Sequence, residues 1–379
     1  MELIQIQESD RRSMNLFIDL PFYIYKNFPQ WVPPIRSDEE ERFNRKKYPF
    51  FKHSDAAFFL AMDGNHARGR IAVLDNQLYN NHNQQKAAFF YLFESIDDEK
   101  TSRELFKAAE EWSRSRGLVQ MIGPKGFTAL DGFGLLVKGF EHRPALGIPY
   151  NPLYYEKLIE GYGFSILNES ISGYLDAKMV FPPRIHELAQ RIRDRRELTI
   201  RRFKNKKEFQ ALIPQFTRLY KDILQGTPDA TPITQAEIQA LSRQILLFSD
   251  LSLIKIVCKT IPGQPDQMVG FLLAYPDISR SLQKIRGRLY PFGWLQVLLD
   301  LKKTDWININ GAGLSEDFRG SGGTAILFSE MYKSVSDNRR YRHADIVQIG
   351  TENVKMLREM ENFGISFYKT HRLYRKSMI

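Results

Sequence analysis

Cysteine is almost absent from this sequence of 379 residues, which contains only Cys258. A single thiol cannot form an internal disulfide, so a disulfide-stapled scaffold is excluded and a reducing compartment such as the cytoplasm is expected. Cys258 lies in an alternating strand pattern, Ser252–Thr260, which favours a core residue over a nucleophile. The seven histidines show no metal-ligand spacing, and we expect no zinc site.

Long hydrophobic runs are also lacking. The longest apolar stretches, such as Phe292–Leu301, are too short to span a bilayer. The segment Met1–Arg12 carries acidic residues early and has no apolar run before a small-residue cleavage site, which argues against a secretory signal. These absences predict a cytoplasmic protein with no membrane partner.

The composition that is present, 43% hydrophobic and 26% charged residues, is typical of a globular protein with a buried core. The length is sufficient for two or three domains. The net charge of +10 suits an anionic ligand, either a phosphate-rich cofactor or a nucleic acid. Charge alone does not choose between them. No recognisable nucleic-acid-binding module is present, so a nucleic-acid partner is not expected.

Both halves of the chain are predicted to follow one order: strand, helix or helices, hairpin, strand, helix, strand, helix and closing strand. The first half carries this order in Met1–Gln7, Ser13–Asn27, Ala56–Met62, Gly69–Leu74, Ala87–Phe93, Asp97–Arg116, Val119–Ile122, Pro152–Tyr162 and Ser172–Ala177. The second half carries it in Leu198–Phe203, Lys206–Leu224, Thr234–Phe248, Leu251–Lys259, Met268–Ala274, Trp306–Leu314, Gly323–Ser336, Ala344–Ile349, Val354–Asn362 and Phe367–Arg375. The repeat predicts two related α/β (α+β) domains over residues 1–180 and 198–379, joined by a charged connector over 181–197.

The segment most informative about chemistry is Arg319–Thr324, a glycine-rich loop between a predicted strand and an amphipathic helix. Its glycines let the backbone approach a ligand closely. The N–H groups of the loop and of the first helical turn, with the helix dipole, form a site suited to pyrophosphate. Arg319 adds a positive charge with a planar fork that matches phosphate oxygens.

Several interpretations of this loop compete. A nucleotide-hydrolase loop requires a longer spacing and a Lys followed by Ser or Thr, which are missing. A dinucleotide fingerprint is met superficially by Gly320, Gly322 and Ala325, but Ser315–Arg319 separates the strand from the glycines. An ordinary glycine-rich helix entry with no ligand remains a further alternative.

Another interpretation fits the loop best. The pattern Arg-Gly-x-Gly, which follows a bulged strand and opens a helix, resembles the acyl-CoA pyrophosphate loop of the GNAT superfamily. The resemblance continues in a helix that begins at Asn353 and ends at Phe363-Gly364, and it covers Leu198–Ile379. It implies two tandem GNAT-like domains, each with a mixed, mostly antiparallel sheet flanked by helices. It also implies acetyl-CoA or another acyl-CoA as cofactor. The implied cofactor-binding residues are Gly313, Leu314, Arg319, Gly320, Ser321, Gly322, Gly323, Thr324 and Asn353.

The first half resembles the superfamily by the order of its elements. Its helix opens with acidic residues at Asp97–Glu99, which would repel a pyrophosphate, and it has no Arg-Gly-x-Gly. A degenerate domain without the cofactor loop is therefore expected. The stretches Trp31–Pro34, Tyr48–His53 and Tyr150–Tyr155 are similar to those of uncharacterised bacterial tandem-GNAT proteins.

The activity implied by the resemblance is N-acyl transfer, in which an amine attacks the thioester directly in a ternary complex. The strand edge near Gly313 and Leu314 would polarise the carbonyl group. The superfamily's usual acid, a Tyr before the helix-ending Gly, is replaced by Met360 in the second half and Ile159 in the first. The candidate catalytic residues are Glu94 and Asp131 as bases, Asn310, and Tyr368 as an acid.

The acceptor is expected to be a small-molecule or peptide amine bound in the cleft between the domains. Asn308 and Asn310, which alternate with isoleucines, share one face of their strand. They would either hold a substrate or a bound water, or form a strand face that is solvated or partly satisfied. The missing Tyr and the absent first-half loop leave an alternative function, a non-catalytic tandem module that binds a ligand or partner.

Overall fold

The computed structural model describes residues 1–176, 178, 181–224, 229–319, 323–338 and 340–378. Strands of the first half are Glu2–Gln5 (β1), Asp55–Asp63 (β2), His66–Asp75 (β3), Ala87–Ser95 (β4), Gln120–Gly123 (β5), Leu135–Lys138 (β6) and Ser165–Asp176 (β7). Its helices are Arg11–Ile24 (α1), Arg36–Glu41 (α2), Gln77–Asn83 (α3), Glu99–Ser115 (α4) and Tyr155–Gly161 (α5). A 3₁₀ turn covers Pro49–Lys52.

The helix Pro183–Arg196 (α6) leads into the second half. Strands there are Leu198–Arg201 (β8), Ile254–Lys259 (β9), Gln267–Pro276 (β10), Trp306–Leu314 (β11), His343–Gly350 (β12) and Ser366–Ser377 (β13). Helices are Lys206–Gln210 (α7), Ile213–Leu224 (α8), Gln235–Phe248 (α9), Ser279–Ile285 (α10), Gly293–Leu301 (α11), Gly323–Asn338 (α12) and Val354–Asn362 (α13). Further 3₁₀ turns cover Leu251–Leu253 and Glu316–Phe318.

The strands form one continuous mixed sheet in the order β1-β2-β3-β4-β5-β13-β7-β12-β11-β10-β9-β8, with β6 paired to β13. Within the described residues the parallel pairs are β4–β5 and β11–β12, and the other pairs are antiparallel. The predicted mixed, mostly antiparallel sheet with flanking helices is confirmed.

The two halves exchange their last strands. Strand β13, from the end of the chain, lies between β5 and β7 of the first half. Strand β7 in turn pairs with β12 of the second half, His343 opposite Asp176. The sheet is therefore built by both halves together at its centre, although the chain passes from one to the other only through α6.

Helices cover both faces of the sheet. In the first half α4 packs on one face through Leu105 and Phe106, and α1 packs on the other through Phe17 and Ile18. In the second half α12 covers one face, while α8 and α9 cover the other and pack on Phe271. The connector helix α6 joins the second-half core through Ile185 and Ala189. No helix of the described residues is long and apolar enough to cross a membrane.

Some local predictions were wrong. The predicted helix Lys206–Leu224 is two helices, α7 and α8, because Pro214 suits a first turn and cannot continue a helix from the N-terminal side. The predicted strand Leu251–Lys259 begins as a 3₁₀ turn. Helices α10 and α11 were not predicted. The capping box of α9, Thr234 with Glu237, is confirmed.

Candidate functional site

The site is organised by the divergence of β11 from β12. These strands pair in parallel from Trp306 opposite His343 to Ile309 opposite Ile346, and their pairing ends there. Against β10 the register shifts at the same point, since Leu273 faces Gly311 while Ala274 faces Ile309. Asn310 is therefore a bulge residue, and a bulge bends its strand. The bend separates the two strands and creates an opening between them.

This opening belongs to a cavity of about 1000 Å³ that both halves line. Asn310, Gly311 and Ala312 of β11 line it on one side of the opening, and residues 347–350 of β12 line it on the other. Much of its second-half wall is apolar: Leu212, Ile213, Phe216, Ile238, Ile254, Met268, Phe271 and Met360. Its first-half wall includes carboxylates, among them Glu94 and Asp131.

Helix α12 starts directly after the glycine-rich loop and has no acidic residue in its first turn. A Cβ atom at Gly323 would lie 2.8 Å from the backbone oxygen of Phe318, so this position requires glycine. Thr324 is buried at the helix start. Arg319 is exposed, and its guanidinium donates to the backbone oxygens of Leu314 (3.0 Å) and Ile223. The residues that frame the entry to α12 are therefore fixed in place.

Glu94 lies at the equivalent bulge of the first half, where Leu92 has φ of 50°. The hydroxyl groups of Tyr25 and Tyr155 each donate to its Oε2 at 2.7 Å. Its Oε1 faces Arg70 Nη2 at 3.6 Å. Burial raises the pKa of Glu94, an effect that Arg70 and both tyrosines oppose. The carboxyl is thus a partly buried group on the cavity wall, with Oε2 hydrogen-bonded by both tyrosines and Oε1 paired with Arg70.

No family model matches the chain. The chain is similar to the solved structure of a tandem GNAT protein from the clavulanic acid biosynthesis pathway, with a TM-score of 0.59 and 9% sequence identity. The similarity covers 100% of this chain and 98% of that protein's chain. The chain has the tandem GNAT fold. At 9% identity this likeness establishes architecture and leaves the activity open.

Two curated proteins are similar in sequence along almost their whole length. One is named bacterial ceramide synthase, from Caulobacter vibrioides (strain NA1000 / CB15N); it is 28% identical over 371 residues, 96% of this chain and 94% of that protein. The other is protein YghO from Escherichia coli (strain K12), 24% identical over 375 residues, 97% of this chain and 94% of that protein. The chain is thus similar to these two bacterial proteins over almost its whole length.

Within the tandem GNAT fold, the predicted cofactor residues fall into four groups. Asn353 is exposed, lines the cavity and caps α13, its side chain accepting from the N–H of Met356 at 3.2 Å. Gly313 and Leu314 lie beyond the cavity-lining part of β11, and a Cβ at Gly313 would lie 2.7 Å from Ile223. Arg319, Gly323 and Thr324 frame the entry to α12. Gly320, Ser321 and Gly322 lie outside the described residues, so the loop itself stays a prediction.

The structure brings three of the predicted catalytic residues to the cavity. Glu94, Asp131 and Asn310 line it, whereas Tyr368 does not. Both carboxylate oxygens of Asp131 are engaged: Arg42 donates to Oδ1 at 3.0 Å, and the Thr128 N–H donates to Oδ2 at 2.8 Å. Asn310 donates to the hydroxyl of Tyr275 at 2.7 Å. Of these residues, Glu94 has the arrangement best suited to proton transfer.

Tyr368 belongs to a separate buried network at the centre of the sheet. It is a bulge residue of β13, since Phe367 faces Gly173 and Lys369 faces Ser172. The adjacent Lys369 donates to Asp345 Oδ2 at 2.5 Å, and both side chains are about 2% exposed. Burial and the Asp345 carboxylate raise the pKa of Tyr368 well above its ordinary value. Neighbouring Asn308 is also buried and donates to Asp277 at 3.2 Å, so it is not a solvated residue.

Sequence reasoning missed Tyr25, Tyr155 and Arg70, which surround Glu94. Tyr25 directly follows α1, Tyr155 starts α5 and Arg70 lies in β3, so long stretches of chain separate them. A weak signal was present, because Tyr155 closes the aromatic stretch Tyr150–Tyr155 that was noted for its resemblance to other proteins. Nothing local indicated that these residues meet at one carboxylate.

Proposed function

We propose that this chain is an acyl-CoA-dependent N-acyltransferase whose substrates carry long alkyl chains. The observation that carries the proposal is the opening between β11 and β12 into a largely apolar cavity of about 1000 Å³. That volume is at the upper end of the range of about 300–1,000 Å³ typical of small-molecule sites. An acetyl group and a small polar amine need far less apolar surface.

The named relative supports the same substrate class. The Caulobacter protein is called a ceramide synthase, and a ceramide is an amide of a fatty acid with a long-chain amino alcohol. Forming such an amide requires room for two alkyl chains. The apolar side chains contributed by α8, α9, β9 and β10 are suited to them, because alkyl chains gain free energy when their surface leaves water.

The second-half residues predicted to bind the cofactor are suited to an acyl-CoA. The start of α12, with Gly323 and no acid in the first turn, is suited to a phosphate group. Arg319 contributes a positive charge. Its hydrogen bonds to the backbone oxygens of Leu314 and Ile223 hold the end of β11 against the end of α8, at the entry to the loop. Asn353 lies on the cavity wall at the start of α13. An acyl-CoA supplies an acyl group activated as a thioester.

The chain's own residues would orient the amine and accept its proton. In the reaction a bond forms between the amine nitrogen and the acyl carbon, the carbon–sulfur bond breaks, and coenzyme A leaves as a thiolate that then takes up one proton from solvent. Glu94 Oε1 takes the proton that the amine loses. Tyr25 and Tyr155 hold the other oxygen and so fix the carboxylate. The apolar wall excludes water, which would otherwise hydrolyse the thioester.

Blocking the opening at Gly311 tests the proposal. This glycine lines the cavity, and a Cβ added there has its nearest neighbour, a Phe271 ring atom, at 3.9 Å. Gly311→Phe therefore fits the strand and fills the opening, while Gly311→Ala is the matched control. With palmitoyl-CoA and a long-chain amino alcohol, we expect amide product by mass spectrometry from the wild type and Gly311→Ala. We expect at least about 100-fold less from Gly311→Phe.

Other outcomes assign the site differently. Product from acetyl-CoA and none from palmitoyl-CoA would show that the acyl donor is short, and the long-chain part of the proposal would be wrong. Binding of acyl-CoA by calorimetry, blocked by Gly311→Phe but without product from any amine, would favour the alternative of a non-catalytic binding module. Absence of both binding and turnover would overturn the proposal.

A further inference from the structure

The segment Tyr290–Leu299, here called the apolar ridge, exposes large hydrophobic side chains to solvent. Tyr290 is 80% exposed, Phe292 73% and Leu299 58%. Trp294, Leu295 and Leu298 are also exposed. Large apolar side chains scattered singly on a surface are ordinary, but a contiguous group of them marks an interaction site. The ridge is therefore a candidate interaction surface.

The ridge is one face of α11 together with the residues before it. Val297 points inward and is fully buried against Ile278 and Leu282. Trp294 and Leu298 are four residues apart, as are Leu295 and Leu299, so they form an outer stripe along the helix. Helix α11 is thus anchored to the protein by one side and exposes an apolar side.

The charges within residues 284–303, the segment that contains the ridge, are predominantly positive. Residues 284–303 contain five cationic side chains and one carboxylate, Asp300. Lys284 pairs with Asp300 at 3.0 Å, which neutralises the carboxylate. The remaining cations, Arg286, Arg288, Lys302 and Lys303, are exposed at the two ends of the ridge. An apolar face bordered by basic residues complements an anionic lipid surface.

The ridge is also close to the cavity. Val32, Ile35, Leu146 and Phe248 pack against the core of α10 and α11. The same four residues line the cavity. The small hydrophobic core of α10 and α11 therefore lies between the ridge and the side chains that line the proposed substrate site.

We propose that the apolar ridge docks on membranes that contain anionic phospholipid, with α11 lying in the interface. Aromatic and leucine side chains enter the headgroup region, and the four cations contact lipid phosphates. A second copy of the chain is a poorer occupant, because a two-fold contact through the ridge would bring these cations against their own copies. This inference differs from the expectation of no membrane partner, which rested on segments too short to span a bilayer. It does not depend on acyl transfer.

Vesicle flotation with the full-length chain tests the docking. We expect the wild type to float with phosphatidylcholine vesicles that contain phosphatidylglycerol, and to float less with pure phosphatidylcholine or in high salt. Phe292→Asp with Leu299→Glu removes two exposed members of the ridge. Phe292 is the N-cap of α11, where Asp is favourable, so the helix is retained. We expect this variant to bind at least about tenfold less.

The matched control is Leu153→Asp with Leu188→Glu, which adds the same charge at exposed apolar positions elsewhere. It is expected to float like the wild type, with circular dichroism confirming the fold of both variants. Failure of the wild type to float, or equal flotation of the ridge variant, would overturn the proposal. It would also be overturned if light scattering showed a wild-type dimer that the ridge variant abolishes, without vesicle binding.

Discussion

Both halves of the chain place a bulge in the strand that precedes their parallel neighbour, at Leu92 in β4 and at Asn310 in β11. In the first half the Lys125 N–H donates to the Phe90 oxygen at 2.9 Å, which bridges the strands just beyond their ladder. In the second half β11 and β12 diverge into the cavity without such a bridge among the described residues. The first half therefore has a backbone hydrogen bond beyond its parallel ladder that the described second half lacks, although residues at both bulges line the cavity.

The helices that follow these strands differ in the charge of their first turn. The start of α4 is capped by Asp98, which accepts from the Thr101 N–H at 2.8 Å, and Glu99 follows. The start of α12 carries no acid. An acidic cap occupies the N–H groups that would otherwise bind an anion. Under the proposed function, the second half would supply the phosphate site and the first half would supply Glu94.

The largest expected effect comes from breaking the link between the halves at Lys369. Lys369→Met leaves Asp345 buried without its cation, and its Oδ1 already has no hydrogen-bond partner in the described structure. We expect a loss of about 3–5 kcal/mol in the free energy of unfolding. Urea denaturation followed by circular dichroism and tryptophan fluorescence measures it. Because β13 lies inside the first-half sheet, both halves should unfold in one transition.

Adding Asp345→Leu to Lys369→Met removes the uncompensated charge and should recover part of the loss. Two separate transitions, or a loss below about 1 kcal/mol, would show that the exchanged strand does not couple the halves.

The second-largest expected effect is on catalysis, and it compares Glu94 of the first half with Asn310 of the second. It rests on the proposed acyl transfer. Glu94→Gln keeps the size of the side chain and removes the base, so we expect kcat/KM to fall about 100-fold, or about 2.7 kcal/mol. Asn310→Ala removes one hydrogen bond to Tyr275 and should cost about tenfold or less. Steady-state release of coenzyme A measures both.

The pH dependence provides a second readout for Glu94. Burial raises the pKa of its carboxyl, and the base acts only when it is ionised. Wild-type kcat/KM should therefore fall as the pH decreases through that raised pKa, and this acidic limb should disappear in Glu94→Gln. If the limb persists in the variant, another group is the base.

The smallest effect concerns the helix starts. Asp98→Ala removes the cap of α4 and should lower the free energy of unfolding by about 1 kcal/mol, whereas Asp98→Asn should retain most of it. Neither change should alter acyl-CoA binding measured by calorimetry, because the proposed phosphate site is at α12. Weaker acyl-CoA binding by Asp98→Ala, at unchanged protein concentration and fold, would instead place the cofactor in the first half.

Local features of the chain were predictable. Thr234 and Glu237 predicted the start of α9, since a capping box is formed by residues of one turn. Leu105, Ala108, Ala109 and Trp112 predicted the buried face of α4. The repeated order of elements predicted two related halves, and the glycine-rich stretch predicted where a helix follows a bulged strand. All of these depend on neighbours along the sequence.

The contents of the site were predicted less completely. Glu94, Asp131 and Asn310 were selected as candidates and line one cavity, but Tyr368 was selected for its place in the sequence and lies in another buried network. Tyr25, Tyr155 and Arg70 were missed because their roles depend on packing around Glu94. The apolar stretch near Phe292 was recognised as too short to span a bilayer, yet its exposure was not foreseeable from its composition.

The sequence by itself thus determined the elements, their order and the positions of the bulged strand and helix start, because spacing and turn chemistry act within a few residues. Only the tertiary structure decided the rest. It placed β13 inside the first half and β7 beside the second, since strand pairing selects partners from the whole chain. It also joined the two halves in one cavity and left the outer side of α11 uncovered, because burial depends on which surfaces meet.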